Sequence, residues 1–421
     1  MRGFRIPAAA PRFTLALLAT SILLGCGAAA RPAQHAAIAS TSAEAAHRTL
    51  AAGHAAATTS GGSDGRLAAI AFTSPAAGYG MFTRQAGGRC QVLAGRTTDG
   101  GASFGTLAAI TPWPCGGTLP GTALAADSHG DGFLYDPGLF VTHDGGRTWA
   151  NGHQPGTVLA IATAGRSAWM LRADCPRHGG SCPLRLLESA NGGRTWAPSP
   201  AQPPGATVRA VAGQPAAEGA ASQTWLLRTG RSSAYVLSSP AGDVAPMWFT
   251  ADGGATWSAR QVRCGPIAAI SATLTAAPGG TLLAVCAGQP SAGYQEKSAG
   301  RSTDGGSHWA VHTPCPVPGM SCHGGTPLDS GYLGQIDAVS ADTAFLAGDR
   351  SSLLVTTDGG SRWRAVRPVI GDSGGGTAQV IFVSRRDGFV LGDDARRGER
   401  PAIWRTADGG AHWSAVVPRS G

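Results

Sequence analysis

The chain is nearly free of two residues that helix surfaces normally use. Among 421 residues there is one lysine, Lys297, and there are five glutamates. Exposed helix positions favour both types, so a mainly helical protein is excluded. All charged residues together make up only 14% of the chain, which excludes a coiled coil and a charge-rich disordered protein. No long basic run occurs. The pairs Arg385-Arg386 and Arg396-Arg397 are ordinary surface, and no nucleic-acid partner is expected from so weak a footprint. The formal charge of +8 falls by three to +5 without residues 1–25, which carry Arg2, Arg5 and Arg12 and no acid.

What is present points to strands. Glycine is abundant at 63, proline adds 28, and 43% of residues are hydrophobic. That mixture implies many turns joining short strands, an all-β chain. At the N-terminus, Met1–Arg12 is basic and Phe13–Leu24 is apolar. This has the build of an export signal and is shorter than a membrane span needs. It ends in Leu23-Leu24-Gly25-Cys26, which resembles the bacterial lipobox. The resemblance implies that residues 1–25 are removed and that Cys26 carries a lipid holding the protein to the cell membrane, outside the cytoplasm. Residues 26–65 are rich in Ala, Ser, Thr, Gly and His, and nearly lack large apolar side chains. They cannot bury enough surface to offset their ordering entropy and are expected to be a disordered tether.

The body, 66–421, repeats one motif seven times. The copies are TTDGGASF (97–104), THDGGRTW (142–149), SANGGRTW (189–196), TADGGATW (250–257), STDGGSHW (302–309), TTDGGSRW (356–363) and TADGGAHW (406–413). Their acidic position falls at Asp99, Asp144, Asn191, Asp252, Asp304, Asp358 and Asp408. The last position is Phe104, Trp149, Trp196, Trp257, Trp309, Trp363 and Trp413. Asp-Gly-Gly supplies a hairpin with positive φ at low cost, and the carboxylate can accept turn N–H groups. The aromatic residue starts the next strand and can bury its ring between sheets. Upstream lie two short strand-like runs, such as QIDAVS and AFLAGD (335–349) or AQVIFVS and GFVLGD (378–393). Each unit is therefore about four strands, the size of a propeller blade.

Nine cysteines become eight once Cys26 is set aside, an even number as an exported chain prefers. Sequence order pairs neighbours: Cys90–Cys115, Cys175–Cys182, Cys264–Cys286 and Cys315–Cys322. For the second and fourth pairs the alternative is a zinc site with His178, His312 and His323. Their spacing is not a CxxC knuckle, and export disfavours free thiolates. No metal or cofactor is expected.

The boxes resemble the Asp-box (BNR) repeat. That family includes sialidases, some endo-glucanases, sortilin-type receptors and photosystem II stability/assembly factor-like proteins. The last group is the nearest in pattern, through stretches such as Gly388-Phe389-Val390-Leu391-Gly392 before the box. The resemblance implies a seven-bladed β-propeller whose boxes sit at the periphery and hold the blades together. Phe104 and Asn191 depart from the pattern, and both are expected to keep the turn and the plug.

Three motifs imitate active sites. Phe4-Arg5-Ile6-Pro7 matches a sialidase signature but lies in the removed leader. Gly371-Asp372-Ser373-Gly374-Gly375 spells a protease nucleophile motif, with His47 stranded in the tether. Asp127-Ser128-His129-Gly130-Asp131-Gly132 lacks the ligand spacing of a calcium loop and reads as a hairpin turn. Tyr294 and Glu296, and the aspartates Asp127, Asp337, Asp342 and Asp349, remain as residues that could line a funnel. The expected protein is a monomeric binding or assembly scaffold of the bacterial cell envelope, with an envelope protein or glycan as partner. The alternative is an exo-acting, sialidase-like glycoside hydrolase or a carbohydrate-binding propeller. Recognition is expected at the funnel or in the stretches 205–247 and 312–332.

Overall fold

A computed structural model describes residues 65–421, apart from 87, 114, 116–120, 176–179, 211–223, 239, 241, 292–293, 313–327, 329–330, 372–375, 395–399 and 421. The leader, Cys26, the tether up to residue 64, Ser373 and the pair Cys315–Cys322 lie outside the described residues. Strands and turns account for the regular structure, with no helix among the described residues. No described helix is long and apolar enough to cross a membrane.

Seven antiparallel sheets follow one another, each taken from one contiguous stretch of chain. Blade 1 comprises Arg66–Phe72, Gly78–Ala86, Arg89–Thr97 and Ala108–Trp113. Blade 2 comprises Gly121–Ala126, Gly132–Pro137, Leu139–Thr142 and Ala150–Asn151. Blade 3 has Thr157–Ala164, Ser167–Ala173, Gly180–Ser189 and Ala197–Pro198, with Thr207–Ala210 also pairing with its third strand. Blade 4 has Trp225–Arg228, Ala234–Leu237, Val244–Thr250 and Ser258–Arg263. Blade 5 has Ser271–Ala276, Leu282–Ser291, Tyr294–Ser302 and Ala310–His312. Blade 6 has Ile336–Ala338, Ala344–Gly348, Ser351–Thr356 and Arg364–Ala365. Blade 7 has Thr377–Phe382, Gly388–Asp394, Arg400–Thr406 and Ser414–Val416. The first strand of each blade packs against the first strand of the next, and that of blade 7 returns to blade 1. The body is a seven-bladed β-propeller with the first strands innermost.

The core lies between the blades. Seven buried apolar clusters occupy the seven interfaces, each drawing on two successive blades. At the interface of blades 1 and 2, Tyr79, Met81 and Val92 meet Leu124 and Leu134. Strands alternate their side chains between two faces, so every blade needs an apolar neighbour on both sides. Only a closed ring provides that for all seven.

The DGG turns fasten these interfaces. In every copy the first hydroxyl, from Thr97 to Thr406, donates to the carboxylate or amide oxygen two residues on, at 2.8–2.9 Å. The same hydroxyl oxygen accepts the N–H of the second glycine at 2.8–3.0 Å. The acidic position accepts the N–H four residues on at 2.9–3.0 Å. Asn191 keeps this pattern, its amide donating to Thr195 Oγ1 at 2.9 Å where an aspartate would accept. The second glycine adopts φ between +81° and +96° and abuts the preceding blade. A Cβ on Gly193 would stand 2.4 Å from Phe133, and one on Gly146 3.0 Å from Tyr79. The box tryptophans meet the same neighbours: Trp149 lies edge-on to Tyr79, Trp196 to Phe133 and Trp413 to Phe345.

Blade 1 departs from this rule at the ring seam. Phe104 is buried, but its ring meets Phe82 of its own blade. Phe72 instead crosses the seam and stacks on Phe389 with centroids 3.6 Å apart. The seam is further closed by Arg419–Ser420, which pairs in parallel with Ser103–Phe104. Arg405 adds bonds to the carbonyls of Asp99 and Pro75 at 3.4 and 3.1 Å. Among the described residues no strand is exchanged between the four-stranded sheets of the first and last blades.

Candidate functional site

The meander gives the ring two unlike ends. In each blade the turn from first to second strand and the DGG turn from third to fourth lie at one end. The turns from second to third strand, and the connections to the next blade, lie at the other. The described disulfides all belong to that second end. Cys90–Cys115 ties the start of blade 1's third strand to the connection into blade 2, with Cα atoms 5.2 Å apart. Cys175–Cys182 spans the hairpin between the second and third strands of blade 3 at 4.5 Å. Cys264–Cys286 links the exit of blade 4 to the second strand of blade 5 at 5.4 Å. Three such bonds fit an oxidising, extracytoplasmic compartment. The described part of the stretch 205–247 holds the fifth strand of blade 3, the first two strands of blade 4 and the start of its third.

One buried cation secures this end. Lys297 of blade 5 is 2% exposed, and its Nζ donates to the carbonyls of Gln295 and Gly331 at 3.1 and 2.9 Å. Gln295 Oε1 accepts Leu333 N–H at 2.7 Å. Blade 5 thereby holds the chain as it enters blade 6. Arg350, in the second-to-third turn of blade 6, lies over the Tyr332 ring at 5.6 Å.

The centre of the ring is bridged by side chains. An innermost strand has an open edge whose N–H and C=O groups lack a strand partner. Thr163 Oγ1 donates to Ala126 O at 2.8 Å, from blade 3 to blade 2. Trp225 Nε1 donates to Ala272 O at 2.6 Å, from blade 4 to blade 5. Gln379 Oε1 accepts Ile70 N–H at 2.7 Å, across the seam. Asp337 joins three blades. It accepts Phe382 N–H of blade 7 at 2.7 Å, Ala338 N–H of its own blade at 2.8 Å and the Thr275 hydroxyl of blade 5 at 3.3 Å. Burial pushes its carboxyl up to about 6, against the pull of those donors.

Asp337 is the one acid on a described first strand, and Arg66 and Arg228 are the cations there. Arg228 is committed to Ser167 O at 3.1 Å and lies over Trp169. The other funnel candidates fall elsewhere. Asp342 sits in a turn of blade 6 and pairs with Arg301 at 2.9 Å. Asp349 lies in the opposite turn of that blade, its carbonyl accepting Tyr332 N–H at 2.8 Å. Tyr294 and Glu296 belong to the third strand of blade 5, away from the innermost position. Asp127 caps a hairpin turn, accepting the N–H groups of His129 and Asp131 at 2.8 and 2.9 Å. Asp131 meets His143 at 3.0 Å and Arg194 of blade 3 at 3.5 Å. Among the described residues no group of three or more metal-type ligands converges.

The box carboxylates serve as turn acceptors. The Thr148 hydroxyl and then its N–H hold Asp144 down at about 2, and Thr256 does the same for Asp252. Such a carboxylate stays ionised at neutral pH and spends its acceptor capacity mainly on its own turn. Arginines across the interface were not legible as partners: Arg260 donates to Gly305 O at 2.8 Å in the neighbouring box. An arginine one residue before the box hydroxyl (Arg96, Arg301, Arg405) is the only sequence trace of this reach.

Strand order and ring closure define the chain as a seven-bladed β-propeller. No family model and no curated protein matches it. Solved propellers do. YCF48 bound to a D1 peptide is 18% identical, covering 82% of this chain and 93% of that one with a TM-score of 0.47. A GH93 α-L-arabinofuranosidase of Fusarium graminearum, in complex with arabinobiose, is 13% identical, covering 67% and 90% with a TM-score of 0.42. The Hadza microbial sialidase Hz136 is 14% identical, covering 67% and 62% with a TM-score of 0.40. Likenesses at this level concern the fold alone.

Proposed function

We propose that the protein is an exported propeller, held to the cell membrane by a lipid on Cys26, that binds an envelope protein or glycan as a recognition or assembly scaffold. The binding end is the one opposite the DGG turns. The observation that carries this reading is the gathering of all described disulfides and the longer connections at that end, while the other end holds the DGG turns and short first-to-second hairpin turns. Long connections on a rigid ring are where recognition usually resides. The seven boxes are Asp-box hairpins by their pattern, and their hydrogen bonds give them a structural task.

A glycoside hydrolase is the second reading. Retaining enzymes of that class use two carboxyl groups about 5 Å apart. The described first strands offer Asp337 alone, and its oxygens already accept main-chain N–H groups. The test places photo-crosslinking residues at Arg89, Arg185 and Arg350 at the proposed binding end, and at Arg147 and Arg362 at the DGG end, in the bacterium. Crosslinks to one partner from the first set and not the second are expected. Equal capture from both ends, or turnover of a fluorogenic glycoside panel lost in Asp337→Asn, would sink the scaffold reading. The lipid is tested separately by Cys26→Ser, which should move the protein from membranes to the soluble fraction.

A further inference from the structure

The whole chain contains two asparagines, Asn151 and Asn191, and each precedes a glycine. An Asn-Gly step is chemically special. With no side chain on the following residue, its main-chain nitrogen can reach the asparagine carboxamide. The nitrogen attacks Cγ, the Cγ–Nδ2 bond breaks, and Nδ2 leaves as ammonia with the glycine N–H proton. Water then opens the five-membered imide. Attack at the side-chain carbonyl gives aspartate; attack at the main-chain carbonyl gives isoaspartate, with one extra carbon in the backbone. Nothing but water is consumed.

The fold treats the two steps differently. Asn191 is the acidic position of the third box. Its Oδ1 accepts the Ser189 hydroxyl at 2.9 Å and Thr195 N–H at 3.0 Å, and its Nδ2 donates to Thr195 Oγ1 at 2.9 Å. The attacking nitrogen, of buried Gly192, donates to Arg166 O at 2.9 Å. Both reacting groups are thus held apart within an inter-blade contact. Asn151 is exposed, at the end of the two-residue outer strand of blade 2. Its Oδ1 accepts His153 N–H at 2.8 Å, which folds the carboxamide back over the Gly152 peptide. Gly152 N–H donates to Leu139 O at 2.8 Å, a bond just past the end of a two-residue edge strand, where local opening costs little.

We propose that Asn151 is a site of spontaneous deamidation in the folded protein and that the third box shields Asn191 from the same reaction. The product at 151 adds a negative charge to the rim of blade 2. Its isoaspartate form lengthens the backbone where Asn151 pairs with Phe140 and releases that short strand. At 191 the aspartate product would simply match the six sister boxes, whereas isoaspartate would break the turn. Folding before the reaction therefore protects the third interface.

Trypsin separates the two sites, since 148–166 carries Asn151 and 186–194 carries Asn191. The disulfide-bonded full-length chain is held for weeks at mildly alkaline pH and digested, and each peptide is read by mass and by isoaspartate content. Asn151 should convert at least about ten-fold faster than Asn191, the margin that one or two turn hydrogen bonds provide. In a reduced, denatured sample the two rates should converge. Conversion of Asn191 at the native rate of Asn151, or no native conversion at either site, would overturn the proposal.

Discussion

Replacing Gly410 by alanine should destabilise the ring more than the same change at most other glycines, for two separable reasons. Gly410 is the second glycine of the seventh box, with φ of +87°. An alanine there carries left-handed strain of about 1–2 kcal/mol. Its Cβ would also stand 2.1 Å from Phe345 Cζ, inside a ring that packs against Trp413 and Phe382. Overpacking of this kind costs a further 1–3 kcal/mol or so. Gly253 of the fourth box isolates the first term, since its φ is +73° and an added methyl there would meet nothing within 4 Å. Gly360 is intermediate, at φ +96° with Ala299 Cβ 3.3 Å away. Urea unfolding of the oxidised proteins should rank the losses as Gly410→Ala above Gly360→Ala above Gly253→Ala, with about 2–5 kcal/mol for the first and 1–2 for the last. Equal losses at Gly410 and Gly253 would refute the argument that the box glycines are chosen for inter-blade contact as well as for the turn.

Acid stability should pass through a maximum. Asp144 and Asp252 titrate near 2 when folded, against an ordinary 3.8, so their contribution is complete above about 4 and is lost as pH falls to 2. Asp337 acts in the opposite sense: held up to about 6, it keeps its proton in the folded state between about 4 and 6, so stability falls as pH rises through that window. Melting curves of Asp337→Asn should lose the upper arm and keep the lower one. Thr142→Val should cost about 1–3 kcal/mol, because Gly146 N–H loses its buried acceptor while the shape is preserved; an unchanged urea midpoint would contradict it. Asn191→Asp should leave the third box intact, with a melting temperature within a degree or so of the parent, because Thr195 can reverse its hydroxyl bond as Thr148 and Thr256 do.

Repetition made the architecture legible. A turn of low cost followed by an aromatic residue, seven times over, fixes blade number and boundaries, and the three described disulfides join cysteines that are neighbours in sequence order. Asn191 could be read as a working turn residue because an amide oxygen accepts the same N–H groups as a carboxylate. The seam was not legible. Phe72 and Phe389, or Ile70 and Gln379, lie more than 300 residues apart, and each contact occurs once, so no pattern betrays it. The same holds for Asp337, one acid among many until its strand is known to be innermost. The funnel reading failed for Asp342, Asp349 and Glu296 because sequence distance from a box does not say which strand of a blade faces the axis.

Lys297 has a practical meaning beyond the grip it provides on the entry to blade 6. It is the only lysine in the chain, and it is 2% exposed. Amine-directed reagents therefore find no lysine on the surface of the folded ring. A single acyl group on Lys297 would report that blades 5 and 6 had come apart, one label per opening event, in a protein that is otherwise silent to such chemistry along its side chains.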